Sequence, residues 1–322
     1  MTTGPTTGPD AGRDAAAGSA RDLGRELDRL DTERSRPGVR LDAMDVPALV
    51  AAQLENDRDV QRAVEAAAPQ ITAALETVVE RLASGGRLIH VGAGTPGRLG
   101  VLDAAECLPT FGVGPDTVTA LIAGGETAMV NAVEGAEDDV DAGAADVRAL
   151  DVGPRDVVVG ITASGRTPYV VAAVTAAREA GAATVGIANN AGTALAAAVD
   201  HPIETLTGPE FVTGSTRLKA GSAQKQVLNM LSTIAMIRLG KVYGTLMVDV
   251  HVTNAKLRHR GRRIVMEATG AAPEEAERAL AAADGNAKAA VAALLLGVAP
   301  DEARARLAAA DGRLGAVLGG DA

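Results

Sequence analysis

The sequence predicts an α/β fold, a doubly wound and mostly parallel sheet flanked by helices, with a small three-helix module at its C-terminal end. Three observations predict it. Short apolar runs at 87–91, 117–122, 156–161, 183–187 and 201–205 alternate with stretches of helical periodicity, the pattern of βαβ units whose crossovers build a parallel sheet. Turns rich in Gly, Ser and Thr follow the first and third runs, where such sheets bind their ligands. Beyond residue 262 the composition shifts to Ala, Leu and Glu, punctuated by Gly and Pro.

Taken in order, residues 1–28 combine Gly, Thr, Ala and charge without apolar periodicity and read as a disordered leader. They lack the apolar core of a signal peptide. Asp45 reads as the N-cap of a short helix with Pro47 in its first turn. From 57 to 83, Val60, Val64, Ala67, Ile71, Ala74, Val78 and Leu82 recur at steps of three and four, one core-facing stripe that Pro69 kinks or splits. Between the strands, helices are expected at 98–106, 127–146, 168–180 and 193–199. A long apolar helix follows at 220–239, stopped by Gly240. Asn229, Ser232 and Arg238 interrupt it, which disqualifies it as a membrane span. Residues 29–262 thus read as one large domain. The tail, 263–322, reads as a helical module similar to ubiquitin-associated-type bundles, broken at Asp284-Gly285-Asn286, with a third helix from Pro300.

Composition narrows the function. In 322 residues aromatics make up 1%, with no Trp, and the net charge is −10. Base stacking and a broad nucleic-acid surface are both disfavoured. Cys107 is the one cysteine, so there is no internal disulfide and no CxxC metal site. His90, His201, His251 and His259 form no zinc spacing. The chain reads as soluble and cytoplasmic.

Three loops carry the chemistry. The first, GAGTPG, holds Gly92, Gly94, Thr95 and Gly97. The second, TASGRTP, holds Ser164, Gly165, Arg166 and Thr167. The third, TGSTRLKAGSAQK, holds Ser215, Thr216 and Lys219. Each places Gly beside a hydroxyl just before a helix. Glycine permits the positive φ that turns backbone N–H groups onto an anion, and the helix start adds a favourable field. One such loop is most often a helix cap; loops following parallel strands of one sheet meet at one edge, and together they point to a phosphate-bearing polar ligand. A dinucleotide fits less well, because the second strand ends in ALIAGGE rather than in the acidic residue that holds a ribose.

Among the carboxylates, Glu106 is expected at the end of a helix stopped by Pro109, with Asp103 one turn earlier. The helix C-terminus and the like charge both disfavour the carboxylate form, which suits a proton donor. Structural and catalytic readings of Glu106 stand level. Glu137, between Glu134 and Asp141, reads on its own as part of an acidic solvated helix face. Lys219 at a helix start opposes the helix field and makes sense beside an anion.

At this point a resemblance becomes specific. GRLIHVGAGTPGRLGVLDAAECLPTFGV, LIAGGETAMVNAVEGAEDD, DVVVGITASGRTPYVVAAVTAAREAG and TGSTRLKAGSAQKQVLNMLSTIAMIRLGKVYGTLMVDVHVTNAKL closely resemble the N-acetylmuramic acid 6-phosphate etherase family, of the sugar isomerase (SIS) superfamily. The resemblance runs from about residue 30 into the C-terminal module. It implies an SIS-type phosphosugar-binding sheet, a homodimer, and no metal or other cofactor. It also implies cleavage of the D-lactyl ether of N-acetylmuramic acid 6-phosphate by elimination and hydration, in cell-wall amino sugar catabolism and recycling. By motif, the two catalytic glutamates fall on Glu106 of DAAEC and Glu137 of EGAE. The sequence departs from the family at Pro96, where a serine is usual, at Leu108, where Pro is usual, and at His90, where an aromatic is commoner. The other class of function open to such a chain is a non-catalytic phosphosugar sensor, since glucokinase regulatory proteins resemble this family.

Overall fold

A computed structural model describes residues 29–249 and 255–319; the leader and His251 lie outside them. Two 3-10 turns, Asp31–Glu33 and Leu41–Ala43, lead into helix α1 (Val46–Ala66). The Asp45 carboxylate caps α1 by accepting from the Ala48 N–H at 2.9 Å. The expected short helix and the start of the longer one are thus a single element. Helix α2 (Ala68–Ala83) follows after a one-residue break. Pro69 sits in its first turn, where no hydrogen-bonded N–H is lost.

The strands are β1 (Leu88–Gly92), β2 (Val118–Ile122), β3 (Val157–Ile161), β4 (Ala183–Ala188) and β5 (His201–Glu204). They form a parallel sheet in the order β2-β1-β3-β4-β5. Between them run α3 (Gly94–Phe111), α4 (Val140–Ala149), α5 (Pro168–Glu179) and α6 (Ala194–Ala198); α7 (Lys219–Arg238) follows β5. Alternate strand residues separate two cores. Leu88, Val157, Val159, Val185 and Ile203 face α1, α2, α3 and α7. Ile89, Val91 and Val158 face the other side with Val147, Tyr169 and Leu195.

Two expected helices change. The segment 127–146 is not one helix: it breaks into 3-10 turns at Glu126–Met129 and Ala136–Asp138 before α4 begins. Gly135 adopts a left-handed φ of 74°, and Asp139 caps α4 by accepting from the Ala142 N–H; turn chemistry overrides the helical spacing. Helix α3, conversely, passes through Pro109 and ends only at Gly112, with φ 68°.

A third core gathers Tyr243 and Leu246 of the β6–β7 hairpin (Val242–Tyr243, Leu246–Met247) with Ile264 and Val265 of α8 (Ala255–Thr269), Leu280 of α9 (Pro273–Ala282), Val291 of α10 (Ala287–Leu296) and Leu307 of α11 (Pro300–Ala309). A short α12 (Leu314–Val317) closes it. A boundary at 262 would cut through α8; this core starts near residue 242. The break at Asp284-Gly285-Asn286 stands where the sequence puts it, with Asp284 and Gly285 both at positive φ.

Candidate active site

The strand order reverses between β1 and β3. In an open parallel sheet the crevice at that switch point, beyond the carboxyl ends of the strands, is where ligands bind. The first two loops flank it.

In the first loop the glycines serve close packing as much as anion approach. A Cβ on Gly97 would sit 2.7 Å from the Gly92 carbonyl oxygen, and one on Gly92 would sit 2.6 Å from the Gly97 nitrogen. Only hydrogen at both positions lets α3 start this close to β1. Gly94 has φ +57°, and α3 has no side-chain cap. Pro96 stands in the first turn, so no helix bond is lost, but one N–H that would face an anion is missing. The Thr95 methyl comes within 3.4 Å of a Cβ built on Gly221, so the first loop adjoins the start of α7.

The second loop is internally bonded. Thr162 Oγ1 pairs with Thr167 Oγ1 at 2.7 Å, and the Arg166 N–H donates to Ser164 Oγ at 3.2 Å. Gly165, at φ +70°, lies so close to Thr193 that a Cβ would come within 2.3 Å of it. Thr167 holds Thr162 instead of capping α5, which leaves the first turn of α5 without a side-chain acceptor.

The third loop differs from expectation. The backbone N–H groups of Lys219 and Ala220 donate to the two oxygens of Glu210, both at 2.9 Å. Glu210 is fully buried. Lys219 is buried too, and its Nζ lies 3.1 Å from an Asp59 oxygen. The anion sought beside Lys219 is therefore the protein's own, and Lys219 braces the start of α7 against α1. Ser215 and Thr216 stay half-buried at the loop surface. Asn189, Gln224 and Thr205, which the sequence reading passed over, form a buried chain. Gln224 Nε2 donates to Asn189 Oδ1, and Asn189 Nδ2 donates to Thr205. The one signal for it was the Asn-Asn pair at the carboxyl end of β4.

The two glutamates stand apart. Glu137 is exposed on the 3-10 turn ahead of α4, and this turn packs on α5. It belongs to the same sheet edge as the loops: Val140 and Asp141, which follow it at the start of α4, line one cleft with Arg166 and Pro168 of the second loop. Glu106, also exposed, lies twelve residues along α3 from Gly94, about 18 Å down the helix axis at 1.5 Å per residue. The premises for its being a proton donor are corrected by the structure. α3 continues past it, and Asp103 turns inward to accept from Ser232 Oγ and meet His90 Nε2, both at 2.9 Å. His90 is fully buried in this network, on the α3–α7 face. Cys107 is buried alongside, and burial with the nearby Asp103 pushes its thiol up to about 12.

Comparison with known proteins matches this architecture. The glucokinase regulatory protein N-terminal SIS domain matches residues 70–178, and the SIS domain matches 130–234. Over 272 residues the chain is 58% identical to the N-acetylmuramic acid 6-phosphate etherase of Rubrobacter xylanophilus, covering 84% of this chain and 90% of that one. It is 58% identical to the etherase of Streptomyces avermitilis over 273 residues, 84% of this chain and 88% of that one. The chain belongs to the N-acetylmuramic acid 6-phosphate etherase family. A solved phosphoheptose isomerase from Francisella tularensis superposes with a TM-score of 0.48 at 20% identity, over 60% of this chain and all of that one. Among the described residues of this etherase-family chain, no helix is long and apolar enough to cross a membrane.

Proposed function

We propose that this protein is an N-acetylmuramic acid 6-phosphate etherase. It is a carbon–oxygen lyase that takes N-acetylmuramic acid 6-phosphate and water to N-acetylglucosamine 6-phosphate and D-lactate. The observation that carries the reading is identity at the level of 58% over 84% of the chain with proteins of that name, together with a phosphate-type loop pair at the sheet's switch point.

The chemistry asks for two proton-transfer groups. In the open-chain aldehyde the carbonyl acidifies the C2 hydrogen. A carboxylate removes that proton while a carboxylic acid protonates the C3 ether oxygen, and the C3–O bond breaks to release lactate. Water then adds across the C2–C3 double bond. Glu106 and Glu137 are the pair, and exchange of the C2 hydrogen with solvent deuterium assigns their roles: the Glu→Gln variant that loses exchange carried the base. Gly92, Gly94, Thr95, Ser164, Gly165, Arg166, Thr167, Ser215 and Thr216 supply the phosphate and hydroxyl contacts. Lys219 supports them indirectly through α7.

This assignment requires two copies of the chain. A hexose phosphate, at about 1.5 Å per bond, spans roughly half the distance along α3 from the first loop to Glu106. Leu102 and Leu108 of α3 and Ile234 and Ile237 of α7, which packs on α3, are exposed, apolar surface of the kind an interface covers. A homodimer in which one subunit lends Glu106 to the loops and Glu137 of the other meets both facts. We place the enzyme in the cytoplasm, where its phosphorylated substrate is held.

The direct test is release of D-lactate from N-acetylmuramic acid 6-phosphate by the purified chain. Tight phosphosugar binding without lactate would make the protein a sensor instead.

A further inference from the structure

The chain ahead of α1 is part of the binding edge. Thr32, fully buried, accepts from Asn190 Nδ2 at 3.0 Å, and Asn190 Nδ2 also donates to the Ala163 carbonyl. One asparagine thus ties the segment to the residue before Ser164. Farther along, Arg36 donates to the Phe211 carbonyl at 3.2 Å and stacks over the Phe211 ring at 5.3 Å. The Glu33 carboxylate lies against Gly214. Residues 30–36 therefore form a strap across the sheet edge, pinned to the second loop at one end and the third at the other.

Beneath the strap lies a cavity of about 610 Å³, within the usual range for small-ligand sites. Asp31 and Arg34 line it from the strap, Arg29 from just ahead of the strap, and Ser164, Arg166 and Asn190 from the loops. In a chain of net charge −10, three arginines against one aspartate around one cavity make a local anion site. The Arg34 guanidinium rests on Asp31 at 2.7 Å with both side chains about half exposed. Such a pair is weak, and the guanidinium keeps donors for a second carboxylate.

We propose that the strap reads the lactyl group, with Arg34 donating to its carboxylate. The inference rests on the etherase reading and deepens it. The substrate carries two anionic groups, the phosphate and the lactyl carboxylate, and the sugar product keeps only the first. A loop site for the phosphate leaves the second anion to be recognised by a separate cation. Arg34 is the strap cation fixed by a described contact in the same cavity as Ser164. A planar guanidinium matches a carboxylate with two parallel hydrogen bonds. Arg34 is a specificity-determining residue on this account, and it touches no reacting atom.

The test compares two ligands on one variant. Arg34→Gln removes an exposed charge and leaves the core untouched. Expected is a KM for N-acetylmuramic acid 6-phosphate raised about tenfold or more, the loss of one charge-assisted contact, with kcat within about threefold. Inhibition by N-acetylglucosamine 6-phosphate should stay within twofold of wild type, which also reports an intact site. A parallel loss of affinity for both ligands would assign Arg34 to the shared phosphate or sugar and overturn the proposal. An unchanged KM would overturn it as well. Lactate release by the wild-type chain tests the etherase reading separately, and calorimetric binding of the two ligands keeps the Arg34 comparison decisive if that reading fails.

Discussion

Mixing two inactive variants measures which chain serves which site. Take Glu106→Gln and Glu137→Gln. Each removes one proposed proton-transfer group and is expected to lose about 10²–10⁴-fold in rate. Glu106 lies about 18 Å down α3 from Gly94, and in the proposed homodimer each complete site would draw Glu106 and Glu137 from different subunits. In a heterodimer of the two variants, one site then combines both intact glutamates and the other combines both glutamines. Random re-pairing makes about half the dimers mixed, each with one working site of two, so activity should recover to about a quarter of wild type. The assay is D-lactate release after co-refolding or co-expression, with differently tagged chains to count heterodimers. If heterodimers form and the rate stays at the level of the separate variants, both glutamates work from one chain. A site shared between two subunits would then be refuted.

Pro96→Ser returns an N–H and a hydroxyl to the first turn of α3 without costing a helix bond. The KM for the phosphosugar should fall by about tenfold, and an unchanged KM would mean that turn does not face the ligand. Gly97→Ala drives a Cβ to within 2.7 Å of the Gly92 oxygen and of Ile122 Cγ1. It should cost about 1–3 kcal/mol in urea unfolding and raise KM together; a neutral variant would refute the close-packing role. Asp156 supplies a pH dependence. Burial draws its carboxyl upward, but hydrogen bonds from Arg87 and from the Gly153 and Arg87 N–H groups outweigh it, and the net shift is below the ordinary range. A depressed folded value stabilises above the unfolded pKa, about 3.9, and that stability is lost as pH falls through the lower folded value. Asp156→Asn should therefore flatten the loss of urea resistance below about pH 4; parallel wild-type and variant profiles would contradict it.

The sheet was legible because its strands are apolar Val and Ile runs between Gly, Asp and Pro, and the observed ends of β1, β2, β3, β4 and β5 fall within one or two residues of the expected ones. Each loop alone reads as a helix cap; together they were legible because loops that follow parallel strands of one sheet meet at one edge. Local chemistry spoiled the rest. Gly135 and Asp139 broke a stretch whose apolar spacing read as helix. Pro109, read as a stop, lies inside α3 and gives up the N–H bond to the Ala105 carbonyl, yet the helix runs on to Phe111 and ends at Gly112. The strap was invisible for a different reason. Thr32 and Asn190 are 158 residues apart, and nothing in either neighbourhood names the other. The same holds for Glu210: its capping role depends on a loop path that no periodicity encodes.

That cap gives the binding edge a direction. Of the helices that start at it, α3 and α5 have no side-chain cap, whereas at α7 an incoming dianion would confront the Glu210 carboxylate. On the proposed phosphosugar reading, this would bias the ester end away from α7 and toward the β1–β3 crevice, leaving Ser215 and Thr216 to the sugar hydroxyls. Exchanging Glu210 for a neutral residue would remove this bias as well as a cap, letting the ligand lie either way round.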